Sequence, residues 1–228
     1  MKLTQKFILY GFIIFVHSAI LCCGVALTTK TTAKLPSDTN TEVLRLNLIY
    51  GESKNIYGLN LGIANSVQND LIGLQIGIVN GAENATGIQI GAINNSRPSF
   101  ALLKIGIFNL NFFLESGRLQ PRDNPESIER RIKGDAGFSV GLVNLASGRL
   151  NLGLFNYGYG WNAGLINWNG EDSGVSIGIV NIGEKENFQI GILNFCKEGL
   201  FPVMILVNYC SSSPNKNSDK NQNIRSEL

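Results

Sequence analysis

The residues of this chain that could carry chemistry are few, and their spacing argues against most of it. The single histidine, His17, lies in an apolar N-terminal stretch. If that stretch is removed in processing, no imidazole remains for a Ser–His or Cys–His nucleophile. The four cysteines fall as an adjacent pair, Cys22 and Cys23, and a distant pair, Cys196 and Cys210. Neither pair has the spacing of a zinc site, so no metal is expected. Carboxylates at Asp70, Glu83, Glu171, Asp172, Glu184 and Glu186 suit acid–base work in type. All of them, however, fall between repeated units, where polar turn residues are expected in any case. No GxxxxGK[ST] phosphate loop occurs. A formal charge of +2, from 19 basic and 17 acidic residues, leaves no electrostatic footprint for nucleic acid. The expectation is a non-enzymatic chain without a cofactor.

The chemistry that is well placed is at the N-terminus. Lys2 and Lys6 precede an apolar run from Phe7 to Leu21, and Cys22-Cys23 follow directly. Residues 1–23 thus read as an export signal, of the kind in which a cysteine at the cleavage point is acylated. Cys23 has the smaller residue before it and Cys22 follows the bulky Leu21, so Cys23 is the better lipidation candidate. The alternatives are an uncleaved signal anchor, because Phe7 to Leu27 is long enough to span a bilayer, and ordinary cleavage without acylation. Every one of these readings exports the remainder. Removal of Lys2 and Lys6 leaves 17 basic against 17 acidic residues, a formally neutral chain. Residues 24–42, rich in Thr and Lys, read as a flexible tether.

From residue 43 onward the chain is repetitive. Gly58-Leu-Asn-Leu-Gly-Ile-Ala-Asn65 recurs as Gly73-Leu-Gln-Ile-Gly-Ile-Val-Asn80 and Gly87-Ile-Gln-Ile-Gly-Ala-Ile-Asn94. Further units end at Asn109, Asn144, Asn156, Asn167, Asn181 and Asn194. In all nine the fifth residue is Gly and the third is polar, from Asn60 and Gln75 to Lys104 and Gln189. Degenerate copies flank them: Val43–Tyr50, with Asn47 in place of Gly, and Phe201–Asn208, ending on Asn208. Atypical end units are what an array needs as caps. Of the 26 glycines, 15 hold the first or fifth position of a unit, so the Gly enrichment marks a module, not flexibility.

Positions two, four and six are apolar while one, three and five are Gly, polar and Gly. This period of two makes each unit a β-strand with one apolar face, and it excludes a helix. The closing Asn shares parity with the apolar face. Its amide either turns inward at a corner, to form a hydrogen-bonded ladder with its copies, or adopts a left-handed turn. The expected fold is all-β, an array of about eleven short strands over residues 43–210.

Two architectures compete. A parallel β-solenoid gives every unit the same surroundings and explains why Gly and Asn recur at the same end. Successive Asn residues are 15, 14, 15, 35, 12, 11, 14, 13 and 14 apart. A straight eight-residue strand covers about 26 Å, which three linking residues cannot retrace. The solenoid therefore requires a bend, most simply at the central Gly, whereas an antiparallel meander or barrel does not. Cys196 and Cys210 each lie two residues after a unit's Asn. Parallel coils would bring such positions within disulfide range, so this pair is a candidate bond that favours the solenoid.

Three segments stand outside the pattern. Residues 116–134 hold two prolines and eight charges and form an insertion, with a short helix expected around Glu126 to Arg131. Residues 211–228 read as a disordered polar tail. Tyr157, Trp168, Phe195 and Tyr209 follow the Asn of later units, with Tyr159 and Trp161 nearby. They suit edge packing at a corner, a stacking face for a glycan or peptide, or an interfacial girdle.

The units GLNLGIAN, GLQIGIVN and GIQIGAIN, preceded by LRLNLIYG and closed by FPVMILVNY, resemble a bacterial surface-repeat family of spirochaete type. The resemblance covers Val43 to Tyr209. It implies an exported surface protein, often a lipoprotein, with no assigned activity and no catalytic residues to carry over. The functional expectation is a cell-envelope lipoprotein at the outer membrane or cell surface, membrane-bound through its lipid, with a structural or adhesive domain whose protein or glycan ligand the residues do not identify. The alternative is a small outer-membrane β-barrel or pore.

Overall fold

The computed structural model describes residues 23–111, 113–115, 118–120, 136–146, 148–170, 173–197 and 201–211. The signal through Cys22, the helix expected at 126–131 and the tail beyond residue 211 lie outside them.

The described residues form fifteen strands and no helix: β1 Cys23–Thr28, β2 Thr31–Leu35, β3 Thr41–Ser53, β4 Asn55–Ile76, β5 Val79–Ile90, β6 Ile93–Leu110, β7 Phe113–Glu115, β8 Arg118–Gln120, β9 Ala136–Leu145, β10 Leu150–Leu152, β11 Phe155–Tyr157, β12 Gly160–Asn169, β13 Gly174–Gly183, β14 Asn187–Cys196 and β15 Val203–Cys210. From β3 to β14 neighbouring coils pair in parallel. The chain is a parallel β-solenoid, and the antiparallel meander or barrel is not its architecture.

Register follows the repeat. Gly106 pairs with Gly141 and Asn109 with Asn144, and Asn167, Asn181 and Asn194 stand in line. The degenerate unit at Val43 is a true coil, with Asn47 opposite Gly62.

The spacing problem is solved at the fifth position. Residues one, three and five point inward, six and seven both point outward, and eight points inward again. In the unit ending at Asn80, for example, Gln75 and Asn80 are buried while Ile78 and Val79 are exposed. Two consecutive outward residues mark a corner. It divides the unit into two arms of about 13 Å at 3.3 Å per residue, which a short return can close. From Gly62 onward only glycine fits inside the corner, a place that Asn47 holds in the first unit. A Cβ on Gly91 would collide with the Gly77 carbonyl oxygen, and one on Gly164 with that of Gly153. The inward glycine therefore sets the parity of the whole first arm, so the apolar face of the strand is the outside of the molecule.

Among the described residues the apolar core cluster lies in the longer N-terminal coils, where Ile56, Val67, Leu71, Ala85 and Leu102 pack together. The other buried side chains are mostly polar.

Both ends differ from the sequence expectation. Residues 24–42, expected as a tether, instead form β1 and β2. These strands are antiparallel to each other, and β1 adds in parallel to β3. At the other end β15 runs antiparallel to β14, with Asn208 opposite Gln189. Asn208 is buried but is not a ladder position, because the unit at Phe201 is a reversed cap strand. In the gap after Asn109, β7 and β8 form a separate two-stranded sheet.

Candidate functional site

The solenoid presents two chemical systems, a sealed polar interior and an apolar exterior. The interior is organised by the closing asparagines. From Asn65 through Asn80, Asn94, Asn109, Asn144, Asn156, Asn167 and Asn181 to Asn194 each amide donates to the carbonyl oxygen of the next, and Asn47, from the fifth position of the first unit, donates to Asn65 Oδ1, nine bonds of 2.7–3.0 Å in all. The second amide hydrogen reaches the fourth-position carbonyl of the next coil, as from Asn80 to Ile90 and from Asn94 to Ile105. The Ile90 oxygen also accepts from the Gly77 N–H at 3.0 Å, so both its lone pairs are used. The amide thus satisfies a carbonyl at the corner, which explains why Asn and not Asp closes each unit.

The ladder is terminated at both ends. Arg45 Nε donates to Asn47 Oδ1 at 2.8 Å, and the guanidinium is paired with Glu42 at 2.8 Å, all three side chains being buried. Lys34 approaches Glu42 at 3.4 Å. At the far end Asn194 Nδ2 turns back to the Gly191 carbonyl.

A second interior row is built by the polar third positions. Gln89 donates to Gln75 Oε1 at 2.6 Å and Asn151 to Asn162 Oδ1 at 2.8 Å. Lys104 is fully buried in this row, and its Nζ donates to the Ser96 and Leu110 carbonyls, both at 2.6 Å. Burial pushes the amine down to about 7. Near the C-terminal end both polar atoms of Asn187, with Ser176 Oγ and Gln189 Oε1, are buried without a hydrogen-bond partner.

Cys196 and Cys210 form a disulfide with Cα atoms 5.4 Å apart. The pairing agrees with the sequence, but the geometry differs from the one expected. β15 is antiparallel, and Cys210 stands opposite Asn187 at the start of β14. Because the bent coil brings its two arms face to face, Gly183 also lies against Asn187 and Gln189. Cys196, in register with Gly183, meets Cys210 across the interior.

The exterior carries the apolar residues. In the nine units every second, fourth, sixth and seventh position is Ala, Val, Ile, Leu, Phe or Trp. Most of these side chains are exposed, among them Ile63, Ile107, Leu142, Leu165, Ile179 and Ile192. Cys23 belongs to this exterior: it pairs with Leu44, a second-position residue, and its thiol is free and half-buried.

The aromatic residues divide between two outward rows. Trp161 and Phe188 hold second positions, and Tyr209 pairs with Phe188. Tyr157, Trp168 and Phe195 follow the Asn residues, the first two rings meeting edge to face at 5.6 Å. All of these rings are exposed. Tyr159 is half-buried.

The carboxylates Asp70, Glu83, Glu184 and Glu186 lie on the return edge between units, as read from the sequence, and Glu171 and Asp172 fall outside the described residues. Among the described residues no cluster of His, Cys, Asp and Glu could hold a metal ion. Lys104 and the Glu42–Arg45 cap were not singled out from sequence. The available signal was that Lys104 occupies a third position in an otherwise neutral row.

The fold defines the chain as a parallel β-solenoid with an asparagine ladder inside and an aliphatic surface. Comparison with protein-family models, curated proteins and solved structures found no match.

Proposed function

We propose that this chain is a non-enzymatic cell-envelope protein, exported and held to the outer membrane or cell surface by a lipid on Cys23. The solenoid serves as a rigid structural or adhesive module. The observation that carries the reading is the position of Cys23. It follows an apolar run of signal type, and its thiol lies on the outside of the first strand. The ladder residues of the interior are consumed by one another, and Lys104 is fully buried.

Labelled palmitate tests this reading in cells producing the full chain. Incorporation is expected in the wild type and in Cys22→Ser, and its loss in Cys23→Ser. Absence of label from the wild type would overturn the lipid anchor.

A further inference from the structure

We infer that the outward faces of the solenoid are a lipid-contacting surface, on which the domain lies in the plane of a phospholipid bilayer. The inference deepens the envelope reading and rests on it for the source of the membrane.

The first observation is the continuity of one row. Starting at Cys23, the register runs along the second positions through Leu44, Ile88, Phe138, Trp161 and Phe188. The residue expected to carry acyl chains is the first member of an apolar row as long as the array. The second observation is that no spacer intervenes. The stretch after Cys23 is β1, already paired to β3, so a lipid on that thiol would hold the solenoid directly against the bilayer.

The third observation concerns what the faces offer a partner. Their strand N–H and C=O groups bond to neighbouring coils along the axis, so the faces expose side chains and not unmet backbone polarity. This is the condition for contact with hydrocarbon. A specific protein partner would want roughly one hydrogen bond per 100–200 Å², and at positions two, four, six and seven of the nine units the indole N–H of Trp161 is the one side-chain hydrogen-bonding group. A typical monomer's largest apolar patch is about 300–600 Å² and is often functional, so exposed aliphatic rows that run the length of the array call for a partner. Nor is a second copy a complete answer. The faces meet at a corner, and a flat partner covers one of them while a fluid covers both. Charges sit elsewhere, at Glu52, Lys54, Asp70, Glu83, Glu184 and Lys185 on the return edge, which would face water. Such a domain lies on the membrane and does not span it.

The chain's two tryptophans, Trp161 and Trp168, are both on these faces, Trp161 being 60% exposed. They provide a probe of contact that tethering alone cannot mimic. The full chain carrying Cys22→Ser and Cys23→Ser, which cannot be acylated there, is mixed with phosphatidylcholine vesicles brominated midway along the acyl chains. Emission is expected to shift to the blue and to fall about twofold relative to unbrominated vesicles, with little effect of salt because phosphatidylcholine carries no net charge. Adding Leu165→Lys and Ile179→Lys on the corner should abolish quenching while leaving the circular dichroism unchanged. Equal emission in brominated and plain vesicles overturns the inference, including when residues 1–22 carry the chain to the vesicles. So does a concentration-dependent dimer whose tryptophans ignore lipid. Because acylation is absent from this experiment, its failure is distinct from failure of palmitate labelling.

Discussion

Asn109 and Asn144 are 35 residues apart in sequence, yet the amide of the first donates to the carbonyl oxygen of the second at 2.8 Å, as between any two adjacent coils of the array. The strands holding them are also in unbroken register, from Ala101 opposite Ala136 to Leu110 opposite Leu145. The solenoid passes the insertion without losing a step.

Deletion of residues 115–134 should therefore be tolerated. It leaves a spacing of 15 between the two asparagines, the same as between Asn65 and Asn80. Shortening a loop changes closure entropy by well under about 1 kcal/mol per halving. The expected result is an unchanged β-type circular dichroism spectrum and a melting temperature within a few degrees of wild type.

Replacement of Asn144 by Asp should be severe. Asn144 Nδ2 donates to Asn156 Oδ1 at 2.7 Å and to the Leu152 carbonyl at 3.1 Å, and a carboxylate can make neither bond. It would place a buried negative charge against two acceptors, a loss of about 3–5 kcal/mol at neutral pH. Because the variant carboxyl is stabilised by protonation, its deficit should shrink as the pH falls through its raised pKa. Urea unfolding at pH 4 and pH 7 checks both points.

Lys104 makes stability depend on alkaline pH. In the folded chain its amine titrates near 7, against 10.5 when unperturbed. Below pH 7 it is charged in both states and burial opposes folding. Between 7 and 10.5 the unfolded chain retains the proton that the folded chain has released, so stability rises with pH, by about 1.4 kcal/mol per unit from this group. Lys104→Gln, which keeps a donor for the Ser96 and Leu110 carbonyls, should lose that rise. Urea midpoints at pH 6 to 10 measure the slope.

Two glycines should respond in opposite ways to alanine. Gly91→Ala sets a Cβ against the Gly77 carbonyl and the Asn80 amide, neither of which can retreat without opening the ladder. A loss of about 3 kcal/mol or more is expected. Gly170 has nothing within 4 Å of a built Cβ, and its alanine variant should unfold within about 0.5 kcal/mol of wild type. Paired thermal melts distinguish a packing requirement from a general intolerance of substitution.

Much of this architecture was readable in advance because it is local and repeated. The period of two marks strands, recurrence of Gly and Asn at one end favours parallel coils, and three-residue links demand a bend at the central glycine. The Cys196–Cys210 bond was also anticipated, although through a geometry the chain does not use. The reversal of β15, the pairing of β1 with β3, and the burial of Lys104 between coils were not readable, because each depends on what lies alongside a strand and not on the strand itself.

What the amino-acid sequence determined alone is the unit: its length, its strand character, its corner and the identity of the residue that closes it. Which face is inside was decided by the tertiary structure. Alternation is symmetric, and an apolar row at positions two, four and six is as compatible with a core as with an exterior. The choice is made by stacking. The preceding coil's carbonyl leaves no room for a Cβ at the fifth position, so glycine must be inside, the polar third position follows it, and the asparagine amide is needed beside the same carbonyls. Once those contacts are made, the aliphatic side chains have only the outside left to occupy.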